Sequence, residues 1–340
     1  MKAGLLKSIN NFQVNDIPRP ERKHGEVLIK VLACGICGSD RHFIKGEFPT
    51  KPPVVLGHEF GGVIEEVGPD SFYKVGAKVT VDPNIFCGKC EFCGNGQVSF
   101  CINLSALGVH RDGGMSKFVS VPESQIYVLP DTVPDNHLAF CEPISCCLRG
   151  LDLARIEVGD TVLIIGGGAI GLIMIQLAKL SGAKVIILST RQKERRELAI
   201  KLGASHTIDP NSVSLDEAIN GTAGISIDGV DVVLECAGTI KTFEDSISVV
   251  KRGGTVIVFG VTPEGETAKI SPLTIMNKEI RIQGSWINPF THGRAAAIVA
   301  SGVLDLDSLI SKVISIDDLP EIFANPPGKG DIKYIVNPNL

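Results

Sequence analysis

No excess of positive charge marks this chain of 340 residues: 33 Lys and Arg stand against 38 Asp and Glu, for a formal net charge of -5. The electrostatic pull that recruits nucleic acid or an anionic membrane is therefore missing, and neither is expected as a partner. Long unbroken apolar runs are missing too. The most apolar stretch, Val162 to Leu180, is interrupted by Gly166, Gly167, Gly168, Gly171, Gln176 and Lys179. That pattern fits a strand, a glycine turn and a helix rather than a membrane span. Met1 to Lys7 is too short and too broken for a signal peptide, and there is no internal repeat or low-complexity tract. With 44% hydrophobic and 21% charged residues, the composition is that of a globular protein. A soluble, cytoplasmic chain of two domains is expected.

What the chain does have begins with cysteine. Ten cysteines without a secretory signal point to metal ligands, reactive thiols or core residues rather than disulfides. Cys87, Cys90, Cys93 and Cys101 follow C-x2-C-x2-C-x7-C, with Gly88, Gly94 and Gly96 permitting sharp turns. Thiolates this close in sequence can surround one ion tetrahedrally, which suits a structural zinc. An iron–sulfur cluster is the rival, although the bacterial ferredoxin spacing and its trailing proline are absent.

Roughly the first 140 residues read as short strands broken by glycine and proline, among them Val27 to Ala33, Gly62 to Val67 and Lys78 to Val81. From near Pro143 the rhythm changes. Strand-like runs at Val162 to Ile165, Val185 to Leu188, His206 to Ile208, Val232 to Glu235, Val256 to Phe259 and Ile280 to Gln283 alternate with helical patterns such as Ala169 to Ser181 and Lys193 to Leu202. Such alternation predicts parallel βαβ units, and six strands predict a doubly wound dinucleotide fold. The segment after Pro289 carries a helix around Gly293 to Ala300 and a late strand, Ile332 to Val336, expected to return to the first domain.

Gly166, Gly168 and Gly171 form G-x-G-x-x-G directly after an apolar strand, with Ala169 and Ile170 opening the helix that follows. The glycines serve a tight turn, close approach of backbone to a pyrophosphate, and tight helix–strand packing. The helix N-terminus offers free N–H groups to phosphates. An NAD site would place a carboxylate at the tip of the next strand. Here that tip reads Ser189, Thr190 and Arg191, with Arg195 and Arg196 a helical turn further. Hydroxyls and a guanidinium suit a 2′-phosphate, so NADP is expected over NAD, with Arg191 and Arg196 as its arginines. Alternatively these arginines belong to a solvated helix start.

A second group of candidate ligands is scattered. Cys37 lies in Cys34-Gly35-Ile36-Cys37-Gly38-Ser39-Asp40-Arg41-His42, His58 and Glu59 in Gly57-His58-Glu59, and Glu142 in Cys141-Glu142-Pro143. Singly, each has a bland reading: a core thiol, a turn histidine, a carboxylate at a helix start. Together they offer the mixed Cys, His and carboxylate set that a catalytic zinc needs, beside a dinucleotide turn.

On these motifs the chain resembles, over nearly its whole length, the zinc-containing medium-chain dehydrogenase/reductase family, in its polyol (sorbitol-like) dehydrogenase branch. The resemblance implies a GroES-like, mostly β catalytic domain built from residues 1–145 and 286–340, with a Rossmann domain at 146–285. It also implies homodimers or homotetramers. It makes Cys37 and His58 ligands of the catalytic zinc and Glu59 a direct or water-mediated one. Glu142 completes the set or holds the zinc-bound water, standing where alcohol dehydrogenases carry a second cysteine. Ser39 is implied to take the substrate proton and His42 to pass it on through the cofactor ribose. The zinc is implied as a Lewis acid for the substrate oxygen.

Substrate choice is less legible. Sorbitol-like enzymes carry a tyrosine shortly after the relay histidine, where this chain has Phe43, and an Arg-Tyr pair after the sixth strand, where it reads Ser285 to Phe290. Glu142, Asn288, His110 and Trp286 are candidates to bind secondary hydroxyls, and Trp286 could instead pack at the domain junction. A sugar alcohol or related diol, with its ketose, is the expected small-molecule substrate. The rivals are a threonine-type amino-alcohol dehydrogenase, a zinc-free quinone or enone reductase, and a non-catalytic NADP-binding sensor.

Overall fold

The computed structural model describes residues 1–221, 229–325 and 327–340. Two compact units emerge, one of Met1–Ser145 with Asn288–Leu340, the other of Cys146–Ile287.

The first unit is organised around the strand Glu26–Gly35, whose sequence EVLIKVLACG is apolar at almost every position. A strand covered on both faces needs no alternation, and nearly all of it is buried. The sheet runs in the order Ile126–Val128, Lys78–Val81, Glu59–Glu66, Glu26–Gly35, Lys333–Val336, Ile310–Ile314, and Phe118–Pro122 also pairs with Glu26–Gly35. The chain's last strand therefore lies directly beside Glu26–Gly35, through Ile335 opposite Gly35 and Val336 opposite Cys34. Val27, Ile29, Val31, Phe60, Val79 and Met115 pack into its core.

The second unit is a six-stranded parallel sheet in the order His206–Ile208, Val185–Ser189, Thr161–Ile165, Val230–Glu235, Val250–Val258, Arg281–Gly284. Numbered within the unit this is 3-2-1-4-5-6, the doubly wound order that the strand–helix rhythm predicts. The fifth strand begins earlier than its pattern suggested. Val250 already pairs with Val230, and a register shift before the pairing of Val232 with Thr255 absorbs Gly253 and Gly254.

Asn288 is fully buried in the first unit and is not available to a substrate. Its carbonyl accepts from Asn84 Nδ2 at 2.6 Å, and its amide donates to Ser145 Oγ at 2.6 Å and towards Asp82 Oδ1 at 3.4 Å. Thr291 Oγ1 donates to the Ser145 carbonyl at 2.7 Å. Asn288 and Ser145 are the residues at which the chain re-enters and leaves this unit. The expectation that Asn288 contacts substrate hydroxyls is thus corrected: its hydrogen-bonding groups are spent on joining the two crossing points.

Replacing Asn288 with Ala leaves buried partners unsatisfied and should lower stability on the order of 2–3 kcal/mol in urea unfolding; an unchanged midpoint would contradict this role. A pH effect follows from His292, which is buried with Nε2 3.2 Å from Thr80 Oγ1. Burial pushes its imidazole from the ordinary 6.5 down to about 3. The unfolded chain therefore takes up a proton that the folded chain refuses, so this contribution is intact above pH 6.5 and is lost as pH falls towards 3. Asp82 acts in the opposite sense, because burial raises its carboxyl from 3.8 to about 6. His292→Phe should accordingly flatten the acid-side loss of stability, and an identical slope in a pH series of melts would refute the assignment.

Candidate active site

Cys37 immediately precedes the helix Gly38–Lys45. Asp40, three residues on, accepts the Cys37 backbone N–H at 2.9 Å, a carboxylate reaching back over the first turn to a free donor. The thiol is thereby fixed at the helix mouth. His58 precedes the strand Glu59–Glu66, after Gly57 at φ 94, where a Cβ would stand 2.6 Å from Cys34 Sγ. One ligand atom each from Cys37, His58 and Glu59 lies within 4.8 Å of the others.

Ser39 stands at this group. Its hydroxyl donates to Cys37 Sγ at 3.0 Å and lies 3.3 Å from His58 Nε2. The other imidazole nitrogen, Nδ1, is 3.4 Å from Asp40 Oδ1, close enough for an ion pair although outside hydrogen-bond geometry. Asp40 thus holds one candidate ligand by its backbone and faces the other. Burial works against a charge on His58, but Asp40 and Cys37 outweigh it and raise its pKa well above the ordinary range. A thiol, an imidazole and a carboxylate gathered in a buried pocket that favours positive charge form a donor set that fits zinc.

Glu142 does not join the three within that span. It is buried in the first turn of the helix Cys141–Ala154, where the backbone dipole favours a carboxylate. Its charge is felt at Lys333, as are those of Glu59 and Cys37. The buried ammonium of Lys333 forms an ion pair with the Glu59 carboxylate. His42 shares the helix with Ser39, but among the described residues no hydrogen bond joins them. Its Nδ1 pairs with Glu47, and its ring lies 5.0 Å from that of Phe48. Phe43 is buried against Phe48 and the edge of His58. His110 Nδ1 accepts the Ala106 N–H at 3.1 Å, and Trp286 is largely exposed. Cys141 is a buried core thiol.

Cys87, Cys90, Cys93 and Cys101 offer four sulfurs within 4.8 Å of one another. The Cys87 backbone N–H donates to Cys101 Sγ at 3.3 Å. The thiols differ sharply: the Lys89 backbone N–H helps draw Cys87 down to about 6, while burial and its neighbours push Cys93 up to about 12. Four thiolates at this range need a shared cation, and the set fits tetrahedral zinc.

In the second unit the glycine turn borders a cavity of about 750 Å³. Gly166 adopts φ 108, and a Cβ on Gly171 would stand 1.9 Å from the Gly166 carbonyl oxygen. Gly168, which caps the helix Ala169–Leu180, has nothing within 4 Å of its notional Cβ, leaving its backbone open to approach. Ala169 and Ile170 form the first turn of that helix. Ser189, Thr190 and Arg191 line the cavity, and so does Arg195. Arg196 does not. Its guanidinium donates to the carbonyls of Thr190 and Arg191 at 2.7 and 2.8 Å and pairs with Asp209 at 2.9 Å. Arg196, expected beside a 2′-phosphate, makes these contacts at the strand tip, and Arg195 lines the cavity.

Sequence reasoning passed over Asp40, Glu47, Lys333 and the orientation of Arg195. Asp40 had a local signal, its position three residues after Cys37 at a helix start. Lys333, separated from Glu59 by 274 positions, had none.

Among the described residues no helix is long and apolar enough to cross a membrane. Residues 23–131 match the alcohol dehydrogenase GroES-like domain, and residues 169–299 match the zinc-binding dehydrogenase domain. D-arabinitol dehydrogenase 1 of Uromyces fabae is 34% identical over 100% of this chain and 97% of its own. Sorbitol dehydrogenase of Bacillus subtilis is 32% identical over 93% and 91%, and L-threonine 3-dehydrogenase of Pyrococcus horikoshii 36% over 91% and 89%. A candidate zinc-binding dehydrogenase of Sinorhizobium meliloti 1021, solved bound to NADP, superposes with a TM-score of 0.97 at 48% identity, covering 99% of both chains. With its ligand sets, its glycine turn and relatives matching it from end to end, the chain belongs to the zinc-containing medium-chain dehydrogenase/reductase family, in its polyol dehydrogenase branch, and is an oxidoreductase of CH–OH groups.

Proposed function

We propose that this chain interconverts a sugar alcohol, or a related diol, and the matching ketone, with NADP as the hydride carrier. The unit of Met1–Ser145 and Asn288–Leu340 serves as the catalytic domain and Cys146–Ile287 as the dinucleotide domain. The protein works in the cytoplasm as a homodimer or homotetramer. The observation that carries the reading is the convergence of Cys37, His58 and Glu59, with the Ser39 hydroxyl against the first two. A binding protein or sensor needs no such hydroxyl beside a metal set.

Cys37 and His58 hold the catalytic zinc, with a carboxylate from Glu59 or Glu142, and Asp40 fixes the first two. When bound, zinc supplies a Lewis acid for the substrate oxygen and NADP supplies the hydride acceptor. Ser39 takes the proton of the substrate hydroxyl, which its position at the ligand pair allows. His42, paired with Glu47, passes it towards solvent, a step suited to an imidazole, which can take a proton at one ring nitrogen and give one up at the other. Support for the polyol class comes from the arabinitol and sorbitol dehydrogenase relatives and from a buried Glu142 where a second cysteine would stand in alcohol dehydrogenases. Support for NADP comes from a strand tip without a carboxylate, from Arg191 and Arg195 at the cavity, and from the NADP-bound relative.

Ser39→Ala should lower kcat about 100-fold or more while leaving NADP affinity unchanged; unaltered kcat would remove Ser39 from the relay. Arg195→Ala should reduce kcat/KM for NADP about tenfold or more and spare NAD, whereas Arg196→Ala should act through stability. A panel of polyols, ketoses, simple alcohols and threonine, run with NADP and NAD on protein of measured zinc content, tests the whole reading. Turnover of polyols with NADP is expected, and preferred oxidation of threonine or preference for NAD would overturn the corresponding part.

A further inference from the structure

We infer that the substrate carries a methyl or methylene group, not a hydroxylated carbon, on the side of its reacting carbinol that lies along the helix Gly38–Lys45. The site then takes a vicinal diol or a deoxy-polyol in preference to a fully hydroxylated sugar alcohol. This deepens the proposed polyol activity and rests on it. Ser39 and Phe43 are four residues apart in that helix and so share one face. The Ser39 hydroxyl marks where this face points, since it reaches both Cys37 Sγ and His58 Nε2. Phe43 stands one turn further along and meets the His58 ring nearly at right angles, with 6.0 Å between centroids and 85° between planes. A substrate whose oxygen approaches Cys37 and His58 therefore has hydrocarbon beside its neighbouring carbon on this side.

Phe43 belongs to a small apolar cluster with Ala106, Val109 and Phe48, separate from the core of the sheet. Phe43, Ala106 and Val109 keep 7 or 8% exposure where Val27, Ile29 and Val31 of that core keep none, so the cluster retains a surface that a ligand can touch. That surface is poor in partners for a hydroxyl. Its four side chains carry neither donor nor acceptor, and the backbone groups around them are engaged. The Ala106 carbonyl accepts the N–H groups of Val109, His110 and Arg111, and the Ala106 N–H donates to His110 Nδ1 at 3.1 Å. The Val109 carbonyl accepts from Thr50 Oγ1 at 2.7 Å and from the Lys51 N–H at 3.1 Å, and the Phe43 carbonyl accepts from the Gly46 N–H at 3.1 Å. A substrate hydroxyl placed here gives up its water without gaining a partner, whereas a methyl group gains contact and forfeits no hydrogen bond.

Oxidation sends a hydride from the carbinol carbon to NADP and the hydroxyl proton to Ser39, so that CH–OH becomes C=O; the apolar wall decides only what the next carbon carries. Butane-2,3-diol and the tetritols threitol and erythritol share one carbon skeleton with adjacent secondary hydroxyls, and differ in their terminal hydroxyls. On the full-length, zinc-loaded protein with NADP, each stereoisomer taken separately, butane-2,3-diol should show a kcat/KM about 10- to 100-fold above that of the tetritols. Phe43→Tyr and the similarly sized Val109→Thr each put a hydroxyl on the wall. Each should shrink that ratio about tenfold, by raising kcat/KM for the tetritols and lowering it for the diol, whereas a merely structural role would lower both alike. Equal or faster turnover of the tetritols by the wild-type protein would overturn the inference. So would a ratio left unmoved in both variants once each is shown to be folded. The polyol reading fails by a different result: preferred oxidation of threonine or of a simple alcohol over the diol and the tetritols alike, which the ratio between those two does not measure.

Discussion

Negative charge taken out of water is the constraint on which the first unit depends. Asp40, Glu59 and Glu142 are all buried, and the Cys37 thiol stands among them. Desolvating an anion costs several kcal/mol, of order 5, unless it is paired. His58 stands against Asp40 and Lys333 against Glu59, so protein cations meet part of that demand. A divalent ion meets the rest. The four-cysteine lobe obeys the same rule in simpler form, since its thiols cannot all shed protons together unless a shared cation takes up their charge. The dinucleotide turn inverts it: free backbone N–H groups at a helix start await an anion, and the glycines let that anion come close.

This electrostatic demand explains why the site is built from strand ends and a short helix rather than from a loop. Asp40 can serve Cys37 and His58 together only if the first turn of Gly38–Lys45 is formed, because the carboxylate reaches back to the Cys37 N–H by helical spacing. Glu59 can reach Lys333 only if the C-terminal strand lies beside Gly35. The end of the chain is thus required at the centre of the chemistry. One ion pair and one sheet register help join the two stretches of the first unit, and the second unit occupies the interval between them in sequence.

What could be read in the sequence follows from how local the physics is. The four cysteines and the glycine turn declare themselves because their partners lie within a few turns of chain, and the six parallel strands do so because alternating strand and helix patterns repeat. Cys37, His58 and Glu59 were legible as types, and their meeting depends on strand pairing that no local pattern encodes. Arg195 and Arg196 differ by one step of helical rotation, which decides which lines the cavity and which braces the backbone, and periodicity fixes that step poorly near a helix start. Asn288 was recognised as polar and near the site, but a polar residue at a chain crossing can face a substrate or a buried network with equal propriety.

Lys333 is the case where sequence reasoning has no purchase at all. A lysine in a late strand reads as a solvated edge residue, the commonest role for that side chain. Its burial is intelligible only together with Glu59, and Glu59 only together with Cys37 and His58. Substituting an apolar pair would satisfy the packing around Gly35 and relieve the desolvation of two charges. What sets the place of Lys333 is the charge of Glu59 and the strand register that brings the two together, neither of which is visible in the residues around position 333.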